Sequence, residues 1–257
     1  MPPQVVLEAF GLSGLPVPLH GGQGRSWRLG DVVLKPSGFP PESRWRAETL
    51  AALGESSSDI RLARPVPALD GDWVARGWEA FHWVAGQPDP SRIDEILVAG
   101  NAFHALLARV PRPSFLDERA DAWSYGDAVA WEEQPLPELD LLEPLAGARR
   151  PVDLRSQMVH GDLAGNVLFA DPLPPAIIDW PAYWRPPSWA SAVAVVDVLC
   201  WHDAPADVVD RWSHLPSWDQ MLIRALIYRI ATEVAASGKP RRPEAYRPAI
   251  DLVLACA

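Results

Sequence analysis

The sequence predicts an α+β chain folded as two lobes, a small antiparallel sheet with one helix followed by a mostly helical lobe. Three observations lead there. Residues 17–84 alternate short apolar, β-branched runs with Gly- and Asp-containing turns. The Ala85-Gly86-Gln87-Pro88 break then interrupts that pattern. Beyond it, apolar residues recur every three or four positions, and strand-like runs return only around 157–180. The division is placed between residues 83 and 84, giving lobes 1–83 and 84–257.

In chain order, Val5, Val6, Leu7, Ala9 and Phe10 predict a short helix ended by Gly11. Strand, glycine turn, strand, Gly30-Asp31 turn and strand follow, up to Val33-Leu34-Lys35. Pro40-Pro41-Glu42-Ser43 opens a helix running to about Leu53. Two apolar strands, Ile60–Leu69 and Trp73–Val84, flank the turn Asp70-Gly71-Asp72. Ser91, with Asp94 three residues on, predicts a capped helix carried to Pro111 by Ile93, Leu97, Phe103 and Leu107. Residues 111–137 hold Trp123, Tyr125 and Trp131 among acidic groups, with no element assigned. Helices are expected at 140–149, from about Ser188, from a Ser217 cap to Ala236, and from Pro243 to about Leu254.

Composition sets bounds. The 257 residues are 48% apolar and 22% charged, values of a globular protein. A net charge of −10 argues against general binding to nucleic acid or anionic membranes. Two cysteines, Cys200 and Cys256, make neither a disulfide framework nor a metal cluster. Met1-Pro2-Pro3-Gln4 lacks a basic, apolar leader, and no apolar run approaches 18 residues. A cytoplasmic protein is expected. All but two of the 23 basic residues are arginine, the exceptions being Lys35 and Lys239, and only Asn101 and Asn166 are asparagine. A Lys or Asn kept against such a bias draws attention to itself.

The densest chemistry lies in Val159-His160-Gly161-Asp162-Leu163-Ala164-Gly165-Asn166-Val167, and in Ile177-Ile178-Asp179-Trp180 further on. Each is an apolar strand delivering polar groups at its end. A carboxylate base, an amide oxygen and a second carboxylate suit Mg²⁺-assisted phosphoryl transfer. Gly21, Gly22 and Gly24 let backbone N–H groups approach an anion, although an ordinary hairpin loop has the same composition. Lys35 ends the third strand, where an ammonium can pair with phosphates or simply be solvated. Glu48, in the middle of the following helix, is the preferred partner for Lys35, with Glu42 its competitor. Asn101 and His104 read as core or surface polar groups.

With these residues in view, the chain resembles the aminoglycoside phosphotransferase family of the protein-kinase-like superfamily, and more closely an actinobacterial subgroup of it. The resemblance rests on Gly21-Gly22-Gln23-Gly24, Lys35, Glu48, His160-Gly161-Asp162-Leu163 with Asn166, and Ile178-Asp179-Trp180, in order along nearly the whole chain. It implies a two-lobed kinase-like fold, ATP or GTP with Mg²⁺, and a small-molecule hydroxyl as acceptor. It further implies Asp162 as catalytic base and Asn166 and Asp179 as metal ligands. Lys35 would sit on the phosphates braced by Glu48, the glycine turn over the nucleotide, and backbone near Ala80 and Phe81 on the purine. Asp197 resembles an acidic residue that braces the catalytic loop. Two departures stand out. The family loop places Asn five residues after the Asp, and here Asn166 is four after Asp162, with Gly165 a candidate to absorb the change. The segment after Asp179 has Arg185-Pro186-Pro187 in place of a Gly-Asp-Pro turn.

Two other readings compete: a nucleotide-binding module with little catalysis, and a metal hydrolase built on His160, Asp162, His202 and Asp203. Candidate acceptor walls are Glu132, Glu133, Asp203, Asp207, Asp210, Trp184, Trp189 and Trp201. Acidic and aromatic groups together suit an amine-bearing hydroxyl compound such as an amino sugar.

Overall fold

A computed structural model describes residues 1–19, 24–54 and 58–256. Residues 1–88 contain α1 (Gln4–Ala9), β1 (Val17–Pro18), β2 (Trp27–Leu29), β3 (Val32–Pro36), α2 (Pro40–Leu53), β4 (Arg61–Leu62), β5 (Pro65–Val66), β6 (Val74–Ala75), β7 (Trp78–His82) and β8 (Gln87–Pro88). Helices α3 (Ile93–Leu107), α4 (Ala122–Ala130) and α5 (Glu143–Ala148) come next, then β9 (Gln157–His160), β10 (Val167–Ala170), β11 (Leu173–Ile177) and β12 (Ala182–Arg185). The chain ends in α6 (Pro187–Trp201), α7 (Val208–Arg211), α8 (Trp218–Ser237) and α9 (Pro243–Ala255).

The architecture is two-lobed α+β, with an antiparallel sheet in the first lobe and a mostly helical second one. The first compact unit comprises residues 1–88 and 165–182, the second 89–164 and 183–257. The sequence division at 83/84 lacks this excursion. Its cause is strand pairing: β10 and β11 form an antiparallel hairpin that recruits β8 on one side and β4, in parallel, on the other.

In the first unit the main sheet runs β1-β2-β3-β7-β5, with β6 also pairing β7. Lys35 stands directly opposite Glu79 in the β3–β7 ladder. Helix α1 covers this sheet, packing Val6, Leu7 and Phe10 on Leu34, Ala68, Ala75 and Ala80. The two long strands expected at 60–69 and 73–84 are each broken. Pro65 and Pro67 remove ladder donors from the first. A turn with left-handed φ at Arg76 (53°) and Gly77 (76°) splits the second into β6 and β7.

The second unit is built around α8, whose residues from Gln220 to Thr232 are all buried. It packs most extensively on α4 and α6. Helix α4 lies in the stretch to which the sequence assigned no element, its apolar positions being few and its Asp121 cap preceded by an acidic loop. Gly126 lets α4 approach closely: an added Cβ would lie 2.1 Å from Thr232 Oγ1. Two expected caps are absent. Asp89, not Ser91, accepts the first N–H before α3, at 3.1 Å, and Ser217 has φ 50° with no side-chain cap bond. Among the described residues no helix is long and apolar enough to cross a membrane.

Candidate functional site

The expected site residues fall in both units. In the first, β10 and β11 pair Val167 with Ile177, and the Asn166 carbonyl accepts the Ile178 N–H at 3.0 Å. Asn166 and Asp179 are thereby carried at the same end of one hairpin. Asp179 holds a left-handed φ of 47°, a conformation that Asp tolerates better than most residues and one that concentrates at functional positions. Its carboxylate is 58% exposed and contacts the Lys35 ammonium directly. An amide oxygen and an accessible carboxylate, both hard donors, fit a Mg²⁺ ion that keeps waters and phosphate oxygens as its other ligands.

The partner of Lys35 is corrected. Its Nζ lies 3.4 Å from Glu79, while Glu48 points to solvent on the outer face of α2. The inner face of α2 presents Arg46 instead, buried and hydrogen-bonded to both Glu79 oxygens at 2.8 Å. Burial pushes the Glu79 carboxyl up, but Arg46 and Lys35 outweigh it and hold the group below the usual carboxylate range. Arg46 also donates to the Trp180 carbonyl at 3.1 Å. Glu42, the competitor, accepts the Ala182 N–H at 3.0 Å, and Trp45 packs on Trp180 with ring centroids 5.2 Å apart. Helix α2 therefore grips the backbone just after Asp179 rather than the lysine.

Ala80 and Phe81 are also reassigned. Strand β7 is flanked by β3 and β5, with Ala80 and Phe81 in register with residues of both. Their backbone groups point into ladders, not toward a purine. The Phe81 ring sits beside Lys35, 5.2 Å from Nζ. Gly24 has φ 65° and open space around it. Gly21 and Gly22 lie outside the described residues.

In the second unit Asp162 follows β9, its side chain 47% exposed. The loop is fixed by two histidines. The His160 N–H donates to His104 Nε2, and the Asp162 N–H donates to His160 Nδ1, both at 3.1 Å. His160 is fully buried, and its Nδ1 faces this backbone N–H, which does not suit a metal hydrolase. Among the described residues no group of three or more His, Cys, Asp and Glu converges to hold a metal. Gly161 is required by close approach, since an added Cβ would lie 2.4 Å from the Tyr183 ring. Gly165 has no left-handed φ and nothing within 4 Å of an added Cβ, so the shortened loop is closed without a glycine-specific conformation.

Sequence reasoning missed Arg229. It sits on α8 and donates to Asp162 Oδ1 at 2.7 Å and to both carboxylate oxygens of Asp197. Burial pushes the Asp197 carboxyl up to about 6, against the pull of Arg229. A cation inside the apolar run Met221–Ala231, which Arg229 shares only with Arg224, was the available signal. Glu79, a carboxylate in the middle of the apolar strand β7, carried a similar one.

The second unit also holds a cavity of about 550 Å³ lined by α4, the loop before it and β12. Arg185 crosses it, bonded to Asp127 at 2.8–3.2 Å and to Glu133 at 2.8–2.9 Å. Of the expected acceptor walls, Glu133 and Trp184 line this cavity. Trp189 is buried in the core, and Asp207 pairs with Arg211 on the surface.

No protein-family model matches the chain, and no curated protein matches its sequence. Solved structures match its fold. A crystal structure of aminoglycoside phosphotransferase from Alicyclobacillus acidocaldarius aligns with a TM-score of 0.59 at 16% identity, covering 99% of this chain and 95% of that one. A thermostable mutant of aminoglycoside phosphotransferase APH(4)-Ia, apo form, gives 0.60 at 14% identity over 98% of each chain. The microcompartment-associated aminopropanol kinase gives 0.58 at 16% identity, over 93% of this chain and 89% of that one. At these identities the likeness is one of fold.

Proposed function

We propose that this protein is a Mg²⁺-dependent phosphotransferase that moves the γ-phosphoryl group of ATP or GTP to a hydroxyl of a small molecule. The observation that carries the reading is the contact of Lys35 with Asp179 across 144 positions of sequence. It joins the cation suited to phosphates with the carboxylate suited to their metal. Asn166 and Asp179 would hold Mg²⁺, which supplies charge neutralisation on the phosphates. Lys35 balances the charge that develops on the transferring group. Asp162 orients the acceptor hydroxyl and takes its proton late, because a loose transition state asks little base strength. The glycine-rich sequence Gly21–Gly24 is assigned to nucleotide contact in this reading. Purine contacts fall to the backbone beyond the β7 ladder, after Trp83, whose N–H goes to the Asp31 carbonyl at 2.7 Å.

The cavity beside β12 is the acceptor site in this reading. The solvent-facing charge there is mostly negative: Asp117, Asp121 and Glu133 are 66%, 38% and 55% exposed, against 41% for Arg112 and 14% for Arg185, which is consumed by two carboxylates. An amine-bearing hydroxyl compound, an amino sugar among others, matches that lining. The test is calorimetric titration of ATP and GTP with and without Mg²⁺, followed by nucleoside diphosphate release over a panel of aminoglycosides, hexosamines, cyclitols and amino alcohols. Mg²⁺-dependent binding that Asp179→Ala weakens at least about tenfold supports the reading. Binding that ignores both Mg²⁺ and Asp179 overturns it.

A further inference from the structure

We infer that Arg229 is a positioning residue for Asp162: its guanidinium, locked by Asp197, pins Asp162 Oδ1 and so sets the orientation in which the carboxylate meets the acceptor hydroxyl. The inference rests on the reading of Asp162 as the base. Its geometry lies wholly within the second unit.

Arg229 projects from the middle of α8, the most buried helix of that unit. Its Nε donates to Asp197 Oδ1 at 2.7 Å, and its Nη2 contacts Asp197 Oδ2. That planar fork fixes the guanidinium in position and in rotation. Two rings hold it further, Tyr228 at 5.0 Å and Trp201 at 5.9 Å from the guanidinium carbon. The same Nη2 carries a second hydrogen, which goes to Asp162 Oδ1 at 2.7 Å. The Asp197 and Arg229 side chains are 5% and 9% exposed, and Asp162 is 47% exposed. The clamp is thus buried on one side and its target accessible on the other.

The neighbouring residue on α8 supports the same loop. Tyr228 bonds Tyr183 hydroxyl to hydroxyl at 2.8 Å, and the Tyr183 ring lies against Gly161. One turn of α8 therefore sets both the backbone of the loop, through Tyr183, and its carboxylate, through Arg229. A lysine can do the latter only in part, because a single ammonium keeps the charge but lacks the fork that binds Asp197 while reaching Asp162. Asp197 reaches the loop through Arg229, which gives physical form to the brace expected of it.

Substituting Arg229 alone leaves Asp197 as a buried, unpaired carboxylate and endangers folding. The decisive comparison is therefore Asp197→Asn against Asp197→Asn with Arg229→Gln, which removes both charges together, beside Arg229→Lys. With an acceptor in hand, the double variant is expected to lose about 100-fold in kcat relative to Asp197→Asn, the scale of a misplaced catalytic group. The KM for Mg-nucleotide should stay within about twofold, and Arg229→Lys should recover part of the loss. An unchanged kcat in the folded double variant, or equal loss of kcat and nucleotide affinity, overturns the inference. Should the unaltered protein turn over no acceptor, that result counts against the proposed function. The clamp is then decided by urea unfolding. In the Asp197→Asn background, Asp162→Asn and Arg229→Gln should be non-additive by at least about threefold in the unfolding constant, and additivity overturns the clamp.

Discussion

His104 accepts the His160 N–H through Nε2, which places its own proton on Nδ1, a buried atom without a hydrogen-bond partner among the described residues. A second proton would destroy that acceptor and charge a buried ring. Burial, with His160 close by, lowers the His104 pKa from 6.5 to about 3. The unfolded chain therefore takes up a proton that the folded one refuses. His104 contributes stability in full above pH 6.5, and that contribution drains away as pH falls toward 3. His104→Gln, whose amide oxygen can accept the same N–H, should flatten the fall in urea-unfolding free energy between pH 6.5 and 4. Two glycines of the same loop are expected to diverge. Gly161→Ala drives a methyl into a Tyr183 ring that its hydroxyl bond holds in place, and should cost about 1–3 kcal/mol in chemical denaturation. Gly165→Ala enters open space without backbone strain and should be neutral or stabilise by about 0.4–1 kcal/mol.

Helix α2 shows how one element can serve a site it does not enter. Glu42, Trp45 and Arg46 occupy one face of it and hold the chain from Trp180 to Ala182. Arg46 also neutralises Glu79, the residue opposite Lys35. Arg46→Met keeps the volume but leaves Glu79 buried with only the more distant Lys35 as counter-charge. A loss of about 3 kcal/mol is expected in urea unfolding, and Glu79→Gln in the same chain should restore part of it. Glu48→Ala, on the outer face, should stay within about 0.5 kcal/mol. The helix itself was legible from its Pro-Pro-Glu-Ser start and Gly54 end. Which of its carboxylates faced inward was not, because Glu42 and Glu48 lie on different faces and only the position of the sheet distinguishes them. The strands at 60–84 misled for a similar reason: apolar content was read, but Pro65, Pro67 and the Arg76–Gly77 turn cut the pairing. Asp162, Asn166 and Asp179 stood out because polar groups at strand ends need no tertiary knowledge to be noticed. Arg229 and Glu79 did not, because a buried ion pair is visible only when both partners are placed.

At the scale of the molecule, the chain passes from the helical unit into the sheet-bearing one between Ala164 and Gly165 and returns after Ala182. The first of these crossings lies inside the four-residue step from Asp162 to Asn166. The base and the metal-side residues of the proposed reaction thus belong to different units: Asp162 is held by α8, and Asp179 by Lys35 of β3, with α2 gripping the residues that follow it. Each unit can then be disabled separately, and this gives the account its sharpest test. The measurement is transfer of labelled γ-phosphate from Mg-ATP and Mg-GTP to the hydroxyl panel, comparing the protein with Asp162→Asn, with nucleotide affinity measured in parallel. The account predicts acceptor-dependent transfer that falls at least about 100-fold in Asp162→Asn, while Mg-nucleotide affinity is unchanged. Transfer that survives the loss of the Asp162 carboxylate, or no Mg-nucleotide binding by the unaltered protein, would contradict it.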